Sequence, residues 1–246
     1  MVSVYNYKLE KFDQEVLREY DIRGEVEKNL TLNTAYTIGR TFGHFVYINS
    51  ESKSIVVGYD GRLTSPVLHE ALCEGLVESG LKVTSIGIGP TPMTYFAHYY
   101  LNTDAAIIVT GSHNPPEYNG FKFVFNKHSF YADKIQELQK LVQSKNLNLG
   151  KGSLKFVDIS KEYIKRNLQN IVLRKKLKIA WDIGNGAVGS VIDLLIRDLP
   201  NTEHFVINKE VDGNFPNHHP DPTVPKNMQQ LIKIVREKKC DVGFGF

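Results

Sequence analysis

IVVGYDGRLTSPVLHEAL, residues 55–72, passes from a run of strand length to helical spacing across one short turn. Ile55, Val56 and Val57 are contiguous and β-branched, as in a strand buried on both faces. Gly58-Tyr59-Asp60-Gly61 ends that run, after which Leu68, Ala71, Leu72 and Leu76 recur at the spacing of a helix packing one face. The order returns in KIAWDIGNGAVGSVIDLL, residues 178–195: an apolar strand, Asp182, a Gly-rich turn, and a helix through Val188, Val191, Ile192 and Leu195. A repeated unit and the coincidence of two strand-turn-helix segments account for this equally well.

Outward from residue 55, the same alternation continues. Residues 83–88 read as the next strand, GPTPM as a turn, 94–100 as a helix, and 105–109 as a short apolar strand stopped by a polar, Pro-rich loop. FKFVF resumes the sheet, and Ile135, Leu138, Leu141 and Val142 mark a helix over 132–143. The polar stretch QSKNLNLGKGSLK reads as a linker, placing a boundary near residue 150. Beyond it lie a helix with Tyr163, Ile164 and Leu168 on one face, a helix over 227–239, and the strand-like end CDVGFGF. The expected architecture is α/β, with two consecutive domains, 1–150 and 151–246, each a mixed sheet flanked by helices.

The chain has 246 residues, 41% of them hydrophobic, enough for a sizeable core. Its 30 basic and 27 acidic residues leave +3 with no long basic run, so no nucleic acid is expected as a partner. Cys73 and Cys240 lack paired spacing, which speaks against a disulfide framework or a cysteine metal site and fits a cytoplasmic protein. The start, MVSVYNYKLEKFDQE, has no basic segment leading into an apolar core, and no later run reaches membrane-spanning length. No membrane association is expected.

Ser112 follows a buried strand, beside Gly111 and shortly before Pro115-Pro116, so a stiff loop holds its hydroxyl out at a strand end. That position suits a nucleophile, although a loop serine ordinarily makes a turn or cap hydrogen bond. TGSHN does not match the G-x-S-x-G elbow, making a serine hydrolase a poor fit. Asp60 and Arg62 read as a structural bridge after their strand. GNGAVG does not stand in a complete dinucleotide-binding unit, because no acidic partner follows at the right distance, and His218-His219 lacks a third metal ligand.

The longer stretch TGSHNPPEYNGFK, residues 110–122, resembles the active-site serine loop of the α-D-phosphohexomutase family, in its phosphomannomutase/phosphoglucomutase branch. EYDIRG (19–24), GYDGRLTSP (58–66), GPTP (89–92), DIGNGAVG (182–189) and VDGNFPNHHPDPTVP (211–225) carry the same resemblance in order along the chain. It implies that phosphorylated Ser112 gives its phosphoryl group to a hexose monophosphate. The bound bisphosphate then reorients and returns its other phosphate, interconverting 1- and 6-phosphates. By resemblance Lys122 is the proton carrier and phosphate neighbour, and His113 positions or neutralises the phosphoserine. Arg23 is expected to make a second phosphate contact through its forked donors, with Tyr20 nearby. Mg²⁺ is the implied cofactor, held by the serine phosphate and an Asp-rich loop of the form D-G-D-x-D-R. In the family that loop follows a strand like DVGFGF, so the resemblance implies that this chain is a front part, inactive alone, with the third and fourth domains of the same polypeptide missing. Mannose and glucose phosphates are the implied substrates. The alternatives are phosphoglucosamine mutase, whose serine loop usually lacks the PPxYNGF pattern, and a non-catalytic sugar-phosphate or protein-binding module.

Overall fold

The computed structural model describes residues 6–144 and 146–246, so residues 1–5 of the start read for a leader, and Lys145 of the expected linker, lie outside the described residues. In chain order the elements are β1 (Ile22–Glu25), α1 (Leu32–Asn49), β2 (Ser54–Tyr59), α2 (Ser65–Glu78), β3 (Lys82–Ile88), α3 (Thr91–Tyr100), β4 (Ala105–Val109), β5 (Tyr118–Phe125), β6 (His128–Phe130), α4 (Asp133–Ser144) and β7 (Ser153–Phe156). A second group follows: α5 (Ser160–Leu168), β8 (Leu177–Asp182), α6 (Ile192–Asp198), β9 (Thr202–Ile207), α7 (Gln229–Lys238) and β10 (Val242–Gly245).

The first sheet runs β1-β5-β4-β2-β3-β7, with β6 paired to β5. Strands β4, β2, β3 and β7 are parallel, while β5 is antiparallel to both β4 and β1. Period-two alternation divides the strand side chains between two cores. Ile55, Val57, Ile107, Val109, Phe121 and Phe123 pack with α1, α2 and α4, whereas Val56 and Ala106 face Met93 and Ala97 of α3 and Ile164 of α5. Val191, Leu194 and Leu195 join that second core, so the two sheets share an apolar seam. The second sheet, β10-β8-β9, is parallel throughout its three strands, and the mixing of strand directions lies in the first. Among the described residues, no helix is long and apolar enough to cross a membrane.

Helix α1 begins in a reciprocal cap: the Thr34 amide donates to Thr31 Oγ1, and the Thr31 amide to Thr34 Oγ1. It crosses α2 at backbone distance, since a Cβ on Gly39 would collide with the Leu72 carbonyl and one on Gly75 with that of Tyr36. The stretch expected to be a linker is docked. Gly150 N–H donates to the Glu78 carbonyl, Asn148 Nδ2 to that of Ser79, and β7 completes the edge of β3. Its polar sequence reflects solvent exposure at a sheet edge, where open backbone groups of β3 still take a partner. The helix expected through Val188 is also divided: a 3₁₀ turn covers Ala187–Ser190, and α6 starts at Ile192.

His69 on α2 is buried against the Tyr59 ring, with Nε2 at 2.9 Å from Ser85 Oγ and 3.5 Å from Cys73 Sγ. Burial pushes its imidazole from 6.5 down to about 4. The unfolded chain therefore takes up this proton below pH 6.5 while the folded chain stays neutral until about pH 4. Stability is fully present above that window and is lost as pH falls through it, by about 3 kcal/mol. Denaturant unfolding at stepped pH should show a shallower acid-side slope for His69→Gln than for the native sequence; equal slopes would place the acid sensitivity elsewhere.

Candidate active site

Strand β4 ends at Val109, and the loop to β5 turns sharply at Ser112, whose φ is +55°. Its amide donates to Thr110 Oγ1 at 2.9 Å, and its exposed hydroxyl lies 3.4 Å from His113 Nδ1. Beneath the loop, Arg62 donates to the carbonyls of Ser112, Asn114, Pro115 and Tyr118 at 2.6–3.0 Å. Asp60 pairs with Arg62 Nε at 3.3 Å and accepts from the Gly111 amide and Ser65 Oγ. Burial pulls the Arg62 guanidinium below its ordinary value, and Asp60 opposes that shift. The bridge expected of Asp60 and Arg62 thus runs to the serine loop, which the local sequence around residue 60 does not disclose.

A second charged group lies on β5 and the approach to β1. Asp21 Oδ2 accepts from Arg23 Nη2 at 2.6 Å and from Lys122 Nζ at 3.0 Å. Asp21 and Arg23 are buried, and Arg23 Nε has no hydrogen-bond partner. Two cations share one carboxylate there, leaving net positive charge. Lys122 pairs across from Ile108 near the end of β4, while Phe121 and Phe123 turn into the opposite core. Tyr20, one residue before Asp21, is 67% exposed. Arg23 and Lys122 are therefore joined through Asp21, a residue that the EYDIRG motif contained but whose role only the paired register of β1 and β5 discloses.

Between the two sheets opens a cleft of about 360 Å³, lined by Asp60, Arg62, Ser112 and His113 on one side and by Ala187, Phe215, Asp221, Thr223 and Phe246 on the other. Ser112 and His113 thus meet in one cleft, and Tyr20, Arg23 and Lys122 do not line it. Hydrogen bonds from Thr223 hold Asp221 below the usual carboxylate range, with smaller help from the nearby His113 and His219. The 211–225 loop is anchored by His218, whose Nε2 lies 3.0–3.1 Å from both oxygens of the buried Asp182. Among the described residues, no three His, Cys, Asp or Glu side chains gather as a metal site. The cleft carboxylates are engaged as well, Asp60 by Gly111, Arg62 and Ser65 and Asp221 by Thr223, so the donor set does not fit a cation by itself.

Residues 14–148 match the family model for phosphoglucomutase/phosphomannomutase, alpha/beta/alpha domain I, and residues 159–246 match that for domain II. A phosphomannomutase/phosphoglucomutase of Pseudomonas putida is 43% identical over 231 residues, which are 94% of this chain and 50% of that protein. A phosphoglucomutase of Neisseria meningitidis serogroup B is 38% identical over 237 residues, 95% of this chain and 51% of the relative. A solved structure of a phosphoglucomutase/phosphomannomutase family protein from Burkholderia thailandensis has a TM-score of 0.89 at 39% identity, covering 96% of this chain and 53% of that one. The chain spans about half the length of the curated relatives it matches.

Proposed function

Because the chain belongs to the phosphoglucomutase/phosphomannomutase family, we propose that Ser112 carries the phosphoryl group of a mutase interconverting hexose 1- and 6-phosphates. The observation carrying this reading is the exposed Ser112 hydroxyl, turned into the cleft at a strand end by a loop whose carbonyls Arg62 holds from below. In the forward half-reaction the bond between phosphorus and Ser112 Oγ breaks as phosphorus bonds to a free sugar hydroxyl, whose proton leaves. The resulting bisphosphate turns over in the cleft, and its other phosphate returns to Ser112 Oγ. Such transfers depend mostly on positioning and on neutralising charge at the moving group.

His113, at 3.4 Å from the nucleophile, orients the hydroxyl and its phosphate. Lys122, paired with Asp21 and not part of the cleft lining, is assigned two successive roles: as the free amine it takes the sugar proton, and as the resulting ammonium it is the cation beside the phosphoserine. Arg23 is assigned a second phosphate contact through its guanidinium, which Asp21 holds, with the exposed Tyr20 nearby. A divalent cation, Mg²⁺, would add charge neutralisation through the Ser112 phosphate, with carboxylates from outside the described residues. We place the domain division between β7, which completes the first sheet, and α5, a few residues past the expected 150, with the serine loop in the first domain. The loops that select the sugar and grip its distal phosphate are assigned to chain outside these 246 residues, in line with the half-length coverage of the relatives. Two free cysteines support a cytoplasmic location.

A coupled assay of the full-length protein on mannose, glucose and glucosamine 1-phosphates tests the reading. Turnover of the first two is expected. Conversion of glucosamine 1-phosphate alone would favour phosphoglucosamine mutase, and turnover of none would favour a binding module. The 246-residue chain by itself is expected to turn over no substrate, because it spans only about half the length of its relatives; turnover would contradict that assignment.

A further inference from the structure

Arg62 takes no step in the proposed reaction, yet it heads the fully buried side chains of the described fold by volume. Nη1 donates to the Pro115 carbonyl at 2.6 Å and to that of Tyr118 at 3.0 Å, and Nη2 to Ser112 at 2.8 Å and Asn114 at 2.7 Å. Four carbonyls from a seven-residue stretch are thereby drawn onto one planar fork. Gly111 completes the approach, because a Cβ there would overlap the guanidinium. With the Ser112 carbonyl pinned inward and its φ at +55°, the side chain is left facing the cleft.

The other face of the fork belongs to the second domain. The Phe215 ring centroid lies 5.4 Å from Arg62 Cζ, and Phe215 itself adopts φ +50°. Beside it, a Cβ on Gly213 would collide with the Arg62 and Leu63 backbone, and Val211 fills the space over Gly61. The 211–215 loop is therefore seated on the turn that organises the serine loop.

We propose that Arg62 is a positioning residue for Ser112 and that Phe215 holds it in place from the second domain, so that docking of the 211–215 loop sets the geometry of the phosphoryl-carrying loop. The proposal rests on the reading that Ser112 carries phosphate. Lysine at 62 keeps the charge but not the planar fork, and cannot hold four carbonyls in one plane.

Amide hydrogen exchange over residues 111–118, together with steady-state kinetics on the full-length protein, tests this for Arg62→Lys and Phe215→Leu. Exchange in that segment should rise about tenfold or more in Arg62→Lys while the β2 and β4 amides keep their protection. A loop displaced by an ångström or so predicts kcat lower by about 10²-fold with KM changed less than about threefold. Phe215→Leu should move both readouts the same way, by a smaller factor of about three to ten. Native exchange and kcat in Arg62→Lys would overturn the positioning role, as would a raised KM at unchanged kcat. Native exchange in Phe215→Leu would overturn the link to the second domain, and that variant decides the matter should Arg62→Lys fail to fold. Loosened exchange in both variants, with no phosphate ever found on Ser112 of the native protein, would support the clamp while removing the proposed function.

Discussion

Ser112→Ala in the full-length protein is expected to eliminate hexose-phosphate interconversion, lowering kcat by on the order of 10⁴-fold or more, because the phosphoryl group then has no oxygen on which to rest between the half-reactions. The same variant should unfold within about 0.5 kcal/mol of the native protein. Its hydroxyl is exposed and lies only at 3.4 Å from His113, while the bonds that shape the loop come from backbone atoms held by Arg62, Asp60 and Thr110. A coupled assay beside a thermal scan separates the two effects. Near-native turnover would remove Ser112 from the chemistry, whereas lost activity with a collapsed melting transition would mean that the serine supports the fold.

Phe42→Ala should have the largest effect on stability, costing about 3–5 kcal/mol. Phe42 is fully buried on α1, with ring centroids 5.1 Å from both Phe123 of β5 and Phe130 of β6, and 6.2 Å from Phe45. Removing the ring leaves a void between helix and sheet that the rigid β5 and β6 pair cannot close. Denaturant titration measures the loss, and a cost below about 1 kcal/mol would show that α1 is not held by this cluster.

Much of the first domain was legible because its strands carry unbroken apolar runs. Residues 55–57 and 105–109 form the parallel centre, where burial on both faces demands such sequence. Helix α1 was not legible. Thr34, Tyr36, Thr37, Ile38, Thr41, Phe42 and Val46 have strand-favouring side chains, and Gly39 and Gly43 weaken a helix; tight packing on α2 and the Thr31 cap outweigh those preferences. Strand β7 was hidden for a different reason, since an exposed edge needs no apolar pattern to pair with β3.

The candidate site divides the same way. Ser112, His113, Lys122 and Arg23 stand in contiguous motifs and could be named from them. The sharing of Asp21 by Arg23 and Lys122 depends on the pairing of Arg23 with Gly120 across two strands distant in sequence. Arg62 is separated from the serine loop by about fifty residues, and its use as the loop's internal scaffold follows only from the three-dimensional meeting of two strand ends. The anchoring of His218 on Asp182 likewise joins distant residues, giving a pair in a Pro-rich loop a structural partner.

Mass spectrometry of the full-length protein after incubation with hexose 1,6-bisphosphate tests the central claim most directly. Phosphate on the peptide containing Ser112, removed on adding hexose monophosphate and missing in Ser112→Ala, is the expected result. Persistent phosphate on another residue, or steady turnover while Ser112 stays unmodified, would contradict the assignment of Ser112 as the phosphoryl carrier.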